Sequence, residues 1–155
     1  MTAIMDRQLA FETSNGQLTI GFTGTQIGMT MAQIEGVMEV LEAQCYFLAR
    51  HGDCIGSDAE FDSIANAYGL YIHIHPCNLE DKRAWTKNFV IEHPVREPLV
   101  RNRDIVNLSD FMIATPSGTA EELRSGTWAT VRYARKVGKP YRIIFPDGKF
   151  ESSVS

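Results

Sequence analysis

Two arginines close together in the second half of the chain are the residues best suited to binding an anion. Arg101 and Arg103 flank Asn102 on one turn of a predicted helix. Residues two positions apart on a helix do not share a face, so one arginine can reach a ligand while the other pairs with an acidic neighbour. The planar guanidinium group donates two parallel hydrogen bonds to phosphate. We therefore predict that this segment contacts a phosphorylated ligand, the alternative being a solvated or structural pair.

A loop rich in hydroxyl, glycine and acidic residues joins the strand predicted at 111–115 to the helix predicted at 127–137. Ser125, Gly126 and Thr127 stand at the start of that helix, where backbone amides and the helix dipole favour negative charge. They are predicted to hold a ribose phosphate. Glu121 and Glu122 lie earlier in the loop, where they could serve as a general base or bind ribose. The alternative is that both glutamates are solvated charges.

Glycine-containing turns follow the first two predicted strands. The first turn follows the strand predicted at 18–23, and its glycine allows backbone N–H groups to approach an anion closely. The second turn joins a short strand within 50–54 to a helix, and Asp53 in this turn could accept hydrogen bonds from a ribose or a base. The predicted ligand contacts in the two turns are Gly24, Thr25, Gly52, Asp53, Gly56 and Ser57. In the alternative interpretation these residues only form tight turns and a helix cap.

A histidine-rich strand is predicted at 70–75. His73, His75 and Cys77 alternate along the chain there, so their side chains could point the same way. Zinc would require a fourth ligand, and a second ligand pair with metal spacing is missing. We therefore predict no metal site. His75 at the strand end could still contact a ligand, or it could simply pack beside Pro76.

Strands and helices alternate from Leu18 onward, which predicts a parallel sheet with right-handed crossovers. About five strands are expected, at 18–23, within 50–54, and at 70–75, 111–115 and 141–145. Helices are expected after Thr30, from Ser57 to Gly69, at 101–108 and at 127–137. In such sheets ligands bind beyond the carboxyl ends of the strands, where the turns described above lie.

Local patterns predict where the helices begin. Hydroxyl residues followed three positions later by Gln33 and Glu60 form two capping boxes, starting at Thr30 and Ser57. The apolar face of the first helix is predicted to consist of Met31, Ile34, Met38, Leu41, Cys45 and Leu48.

The remaining segments have weaker patterns. Residues 1–17 are weakly patterned, with a possible strand at 9–13 and a turn at 14–16, and the tail at 149–155 is expected to fray. The polar connection at 77–98, with a helical turn near 82–85, has the length of a binding loop or lid. Lys82 and Arg83 would suit a lid over an anion.

Composition limits the class of protein. The 155 residues fit a single domain, and the three cysteines imply no disulfide framework. No apolar run approaches the roughly 20 residues that a membrane helix needs, and no secretory signal is recognisable, so a cytoplasmic location is expected. The net charge of −4 argues against a broad nucleic-acid surface, so any anion site must be local.

Three segments resemble one protein family. Arg101–Ser109 (RNRDIVNLS) and Ser125–Ala134 (SGTWATVRYA) resemble motifs of the DNA-processing protein A (Smf) family, and Gly56–Ala59 (GSDA) resembles the start of one of its helices. This similarity spans most of Leu18 to Pro146 and implies membership of the SLOG superfamily of Rossmann-like nucleotide binders. Thr115–Glu122 (TPSGTAEE) resembles the loop of the Lonely Guy phosphoribohydrolases in that superfamily.

The resemblance implies a Rossmann-like, doubly wound α/β fold with a mainly parallel sheet and helices on both faces. The favoured function is binding of a small phosphorylated nucleotide or nucleotide-derived signalling molecule, which the protein senses or sequesters. The alternative is a nucleotide N-glycosidase, with Glu121, Glu122 and Asp53 as the catalytic candidates. Single-stranded DNA binding is the least favoured function. No cofactor is predicted, and relatives of this class imply a homo-oligomer.

Overall fold

Seven strands form one mainly parallel sheet in the computed structural model, which describes residues 17–153. The strand order is β4-β3-β2-β1-β5-β6-β7, and only the β6–β7 pair is antiparallel. The possible strand at 9–13 and the turn at 14–16 lie outside the described residues. The strands are β1 Leu18–Gly24, β2 Tyr46–His51, β3 Tyr71–Ile74, β4 Ile91–Glu92, β5 Phe111–Thr115, β6 Tyr141–Ile144 and β7 Phe150–Ser152.

Four α-helices and one short 3-10 helix connect the strands within the described residues. Thr30 caps the first α-helix as predicted, because its Oγ accepts from the Gln33 N–H at 3.1 Å and the Gln33 side chain accepts from the Thr30 N–H at 3.0 Å. The last α-helix ends at Gly138, which adopts the left-handed conformation. The α-helices are α1 Met31–Ala43, α2 Ser57–Ala67, α3 Pro98–Leu108 and α4 Gly126–Val137, and the 3-10 helix is Glu80–Lys82.

The helices cover both faces of the sheet and bury two apolar cores. On one face α1 and α2 pack on the sheet, with the rings of Phe22 and Phe61 stacked at 4.4 Å between centroids. On the other face α3 and α4 bury Ile105, Trp128 and Val131 against β5 and β6. The predicted Rossmann-like, doubly wound α/β fold is therefore confirmed. The extra strands β4 and β7 are edge strands of two and three residues, too short for the sequence pattern to indicate.

The predicted apolar face of α1 is wrong at most of its positions, because Met31 and Met38 are exposed and the helix instead buries Gln33, Val37, Val40 and Leu41. It is also wrong at its end. The helix ends at Ala43, and Gln44 is already extended. Cys45 therefore lies outside the helix, and Leu48 belongs to β2, paired with Thr19 of β1 and Tyr71 of β3. Leu48 is buried in the sheet, so its spacing from the helical residues matched the helical period by chance. The strand β2 begins at Tyr46, before the strand predicted within 50–54.

The second predicted capping box does not form. Gly56 is the N-cap of α2, and it has a φ of 86° with no side-chain cap. The Ser57 Oγ donates to the carbonyl oxygen of Thr25 at 2.7 Å, and Glu60 accepts from the N–H of Met29 at 2.7 Å. Both side chains therefore fasten the β1–α1 loop to α2 instead of closing the end of their own helix. That helix also ends at Ala67, before the predicted Gly69.

The predictions for the end of the chain and for the first residue of α3 differ from the structure. The tail predicted to fray at 149–155 instead forms β7 over Phe150–Ser152, because the chain reverses after Pro146 and pairs with β6. The Arg142 guanidinium lies 3.9 Å from the ring centroid of Phe150, which adds a side-chain contact to this pairing. Helix α3 begins at Pro98, where proline suits the first helical turn, and not at Arg101 as predicted.

The connection at 77–98 lies along the edge of the sheet. Its backbone bonds to β3 through Val90 N–H to Ile72 O at 2.8 Å and His93 N–H to Ile74 O at 2.9 Å. The 3-10 helix Glu80–Lys82 overlaps the helical turn predicted near 82–85 only at Lys82. None of the helices in the described part of the chain is long and apolar enough to cross a membrane.

Candidate functional site

A cavity of about 300 Å³ opens at the carboxyl ends of β1, β2 and β5, and we call it the switch-point cavity. β1 lies between β2 and β5 in the sheet. Helix α1 leaves β1 on one face and α4 follows β5 on the other, so the connecting segments diverge and leave a crevice between them. The lining residues are Phe22, Thr23, Gly24, Thr25, Gln26, Gly52, Cys54, Asp58, Arg101, Asn102, Ile105, Ser117, Ser125, Gly126 and Thr127.

Arg101 is the one positively charged side chain among the described residues that line the cavity. Its Nη1 donates to the carbonyl oxygens of Gly52 at 2.7 Å and His75 at 3.0 Å, and its Nε donates to the Asn102 side chain at 2.7 Å. Within residues 17–153, the one hydrogen-bond partner of its Nη2 is the sulfur of Cys54, a weak acceptor at 3.5 Å. The guanidinium is thus fixed by two strand ends while Nη2 is left for a ligand.

Gly52 allows this arrangement because it lacks a side chain. A Cβ at this position would overlap Nη1 of Arg101 and lie 2.8 Å from its Cζ. The guanidinium therefore packs directly on the backbone that follows β2. This contact explains why a glycine is needed at the end of that strand, independently of any ligand.

Asp58 and Cys54 form the wall of the cavity beside Arg101. Asp58 is 5% exposed, and its Oδ2 accepts from the N–H groups of Gly52 at 3.0 Å and Cys54 at 3.2 Å. Burial raises the pKa of Asp58 above its ordinary value. Burial, followed by the charge of Asp58, raises the pKa of Cys54 to about 12, so the sulfur is a protonated thiol and not a nucleophilic thiolate.

The start of α4 forms the opposite wall. Ser125 is the N-cap, with its Oγ accepting from the Trp128 N–H at 3.2 Å. The N–H groups of Gly126 and Thr127 belong to the first helical turn, which has no acceptors within the helix. Both residues line the cavity, together with Ser117. This wall therefore offers amide and hydroxyl donors and the positive end of a helix dipole.

The structure brings more than half of the predicted ligand contacts together around the switch-point cavity. They come from the ends of β1 and β2, from α3 and from the start of α4. Their role as ligand contacts stays a prediction. These residues are Gly24, Thr25, Gly52, Arg101, Asn102, Ser125, Gly126 and Thr127.

Asp53 does not line the cavity, although the sequence predicted it as a ligand contact and catalytic candidate. It is fully buried, and its Oδ2 lies 2.8 Å from Nη2 and 2.9 Å from Nε of Arg83. Its Oδ1 accepts from the N–H and Oγ of Thr86 at 3.0 and 2.7 Å. Its carboxylate thus anchors the connection at 77–98, and Arg83 is held in the interior instead of over the cavity.

Gly56 and Ser57 support the cavity from behind without lining it. Ser57 holds the β1–α1 loop through Thr25, as described above. Gly56 lies so close to this loop that an added Cβ would overlap the carbonyl oxygen of Gln26. Both residues therefore shape the loop that carries Thr25 and Gln26.

We expect Gly56→Ala to destabilise the fold more than Gly69→Ala. Both glycines have positive φ values, 86° and 78°, so both substitutions carry the strain of a left-handed alanine. Only Gly56 faces backbone atoms, since a Cβ at Gly69 meets nothing within 4 Å. The difference in the free energy of unfolding between the two variants should be about 1–3 kcal/mol, measured by urea denaturation. Equal losses of unfolding free energy in the two variants would show that the β1–α1 loop moves aside without cost.

Arg103 and the two glutamates also lie outside the cavity. Arg103 packs over the ring of Tyr133, 5.2 Å from its centroid, in a separate groove between α3 and α4. Glu121 pairs with Arg135 at 2.9 Å and Arg132 at 3.1 Å. Hydrogen bonds from Arg135 and then Arg132 hold the pKa of Glu121 below its usual range, which makes its carboxylate a weaker base.

Glu122 is exposed, and its carbonyl oxygen accepts from Arg132 at 3.3 Å. The loop before α4 is therefore fastened to the outer surface of that helix. None of the three carboxylates predicted for catalysis, at positions 53, 121 and 122, lines the cavity.

His75 lies behind the cavity in a cluster of histidines. Its ring stacks on that of His93 at 4.0 Å between centroids, and its Nε2 lies 3.1 Å from Nη1 of Arg50. The Nδ1 of His73 lies 3.0 Å from the Nε2 of His93. His75 reaches the cavity only through its backbone, whose carbonyl oxygen accepts from Arg101. No group of three or more histidine, cysteine or acidic residues in the described part of the chain is arranged to hold a metal ion.

Sequence reasoning missed Asp58 as a site residue, along with Cys54, Ser117 and Gln26. Asp58 stands in the first turn of α2, where a carboxylate commonly interacts with the dipole of its own helix. Its short distance in sequence from the end of β2 could have indicated its role, because the N–H groups of Gly52 and Cys54 in the turn donate to it. The carboxylate that lines the cavity is therefore Asp58, whereas Asp53, the predicted ligand contact, pairs with Arg83.

The comparisons with known proteins give information about the fold. No family model matches the chain, and no curated protein matches it. The solved molybdenum cofactor binding protein from Rippkaea orientalis is similar, with 17% identity and a TM-score of 0.62 over 83% of this chain and 77% of that protein. The solved protein TM1055 is similar at 13% identity and a TM-score of 0.55, over 81% of this chain and 72% of its own. These likenesses support a Rossmann-like fold for this chain.

Proposed function

We propose that this chain binds a small phosphorylated nucleotide, or a signalling molecule derived from one, in the switch-point cavity and thereby senses or sequesters it. One observation carries the proposal. The Nη2 of Arg101 and the first amides of α4 converge on a single cavity at the carboxyl ends of the strands. A guanidinium and a helix N-terminus are both suited to phosphate oxygens.

The distribution of charge indicates how the ligand would lie. The phosphate group would lie against the wall formed by Ser125, Gly126 and Thr127, with the Arg101 guanidinium facing it from the opposite wall. The nucleoside would extend toward Asp58, because a carboxylate repels phosphate. The anion site is thus local, in keeping with a chain whose net charge is −4.

The size of the cavity supports a ligand of cofactor or nucleotide dimensions. Ligand pockets commonly enclose about 300–1,000 Å³, and this cavity lies at the lower end of that range. The similar solved protein described as a molybdenum cofactor binding protein accommodates a small cofactor on the same kind of fold. We also propose a link to the Smf family and a homo-oligomeric state. Both rest on the resemblance of Arg101–Ser109 and Ser125–Ala134 to motifs of that family.

The nucleotide N-glycosidase remains the second candidate because Asp58 lines the cavity. A glycosidic hydrolase needs a group that takes a proton from the attacking water, and Asp58 is the one carboxylate among the described lining residues. Prolonged incubation of nucleotides with the protein, followed by chromatography of free bases, tests this activity. Accumulation of a free base and a ribose phosphate would favour it.

We expect Arg101→Lys to lower the affinity for nucleoside 5′-monophosphates by about ten- to a hundredfold, measured by calorimetry. An ammonium group cannot hold both strand-end carbonyls and still present a planar donor to phosphate. Arg103→Ala is the matched control, because Arg103 packs on Tyr133 outside the cavity. Unchanged affinity in the Arg101 variant, or an equal loss in the control, would contradict the proposed site.

A further inference from the structure

Asp58 is a buried carboxylate with one occupied and one open oxygen. Its Oδ2 accepts two backbone N–H groups, from Gly52 and Cys54. The hydrogen bonds that the Asp58 side chain forms within residues 17–153 both end on Oδ2, and the side chain lines the switch-point cavity. Its Oδ1 is not among the buried polar atoms that lack a partner, so this oxygen is open to the cavity. A carboxylate has roughly four acceptor positions, and those on Oδ1 are free to accept from a ligand.

The position of Asp58 relative to the phosphate-binding wall limits which donors can reach it. Asp58 follows β2 and the start of α4 follows β5, and β1 lies between these strands. Two strand spacings amount to about 10 Å. A nucleoside 5′-phosphate can bridge such a span with a hydrogen bond at each end when its ribose hydroxyls meet the carboxylate.

We propose that Asp58 accepts hydrogen bonds from the ribose hydroxyls of the ligand, so that the cavity selects ribonucleotides over 2′-deoxyribonucleotides. This inference rests on the proposed nucleotide binding and adds its sugar specificity. Vicinal hydroxyls supply two donors side by side, which a carboxylate receives well, and acidic residues hold ribose in the same way in dinucleotide-binding sheets. Arg101 beside Asp58 offsets the charge of the carboxylate.

The ligand-side test uses the unmodified protein. Calorimetry would compare the four ribonucleoside 5′-monophosphates with their 2′-deoxy and 3′-deoxy counterparts. For the nucleotide that binds most tightly, we expect the deoxy forms to bind about ten- to a hundredfold more weakly. Equal affinities would overturn the role of Asp58 while leaving nucleotide binding intact. If none of these monophosphates binds, this inference is overturned, whereas the proposed function is tested separately by recovery of a bound ligand from a metabolite extract.

The protein-side test uses Asp58→Asn. The amide oxygen can still accept from Gly52 and Cys54, whereas the amide nitrogen then presents donors to the hydroxyls. Because the charge-assisted acceptor is lost, we expect ribonucleotide affinity to fall toward that of the deoxy form, so that the ratio of the two dissociation constants decreases. A ratio that stays at the wild-type value would overturn the inference. Because the ratio is taken within one variant, it does not depend on the overall stability of that variant.

Asp62→Asn is the matched control for this measurement. Asp62 lies one helical turn further along α2 and is also buried, but its oxygens bind His51 at 2.7 Å and Asn88 at 2.7 Å away from the cavity. The same substitution there should leave the preference for ribonucleotides unchanged. Loss of the preference in this control as well would show that the effect arises from disturbing α2, and would overturn the direct contact.

Discussion

Asp53→Ala should lower the free energy of unfolding by about 3–5 kcal/mol, because it leaves the Arg83 guanidinium buried without its main partner. The side chains of Asp53 and Arg83 are 0% and 6% exposed, so water cannot replace the lost interaction. Thr86 loses its acceptor as well. Alanine is also unfavourable at the positive φ of 54° that Asp53 adopts. Urea denaturation followed by circular dichroism measures the loss.

Two variants separate the causes of that effect. Glu92→Ala removes the second carboxylate near Arg83, which lies 3.8 Å away and is 43% exposed, so its loss should cost less than about 1 kcal/mol. Asp53→Asn tolerates the left-handed backbone and still loses the ion pair, so it should remain strongly destabilised. If both Asp53 substitutions changed the free energy of unfolding only slightly, a structural role for Asp53 would be contradicted and its predicted role as a ligand contact would be favoured.

Lowering the pH from 7 to 5 should reduce the free energy of unfolding by about 4 kcal/mol through His73 and His75 together. Burial, reinforced by the positive charge of Arg50, lowers the pKa of His73 from 6.5 to about 3 and that of His75 to about 2. The unfolded chain therefore takes up protons below pH 6.5 that the folded chain cannot bind. Stability is fully present above this pH and decreases as the pH falls toward 3. Urea denaturation at several pH values measures the slope.

His75→Gln isolates one of these two histidines. The glutamine side chain can still accept a hydrogen bond from Arg50 Nη1, the present neighbour of the His75 ring. The slope of the unfolding free energy against pH between 6 and 5 should then decrease by about 1.4 kcal/mol per pH unit. An unchanged slope would mean that His75 is accessible to protons in the folded protein.

The sequence predicted the sheet and the grouping of glycines and hydroxyls at its carboxyl edge well, because both follow from local patterns. β5 runs over Phe111–Thr115 as predicted, and the capping box at Thr30 forms with both of its hydrogen bonds. Glycines and hydroxyls after the strands lie together around the cavity because parallel strands all end at the same edge. This part of the site needed no knowledge of side-chain contacts.

The roles of individual polar residues could not be predicted because they depend on distant partners. Asp53 turns away from the cavity since Arg83, thirty positions later, returns to it. Arg101 and Arg103 differ because Gly52 lacks a side chain under the first and Tyr133 lies under the second. Short edge strands such as β7 depend on a neighbouring strand and carry little pattern of their own.

The most direct test of nucleotide binding is recovery of the ligand itself. The purified protein and its Arg101→Lys variant would be incubated with a cell metabolite extract, washed and heated, and the released molecules identified by mass spectrometry. We expect an intact phosphorylated ribonucleotide to be recovered in stoichiometric amounts from the wild type and to be depleted in the variant. Recovery of no nucleotide from the wild type, or equal recovery from both proteins, would contradict binding in the switch-point cavity.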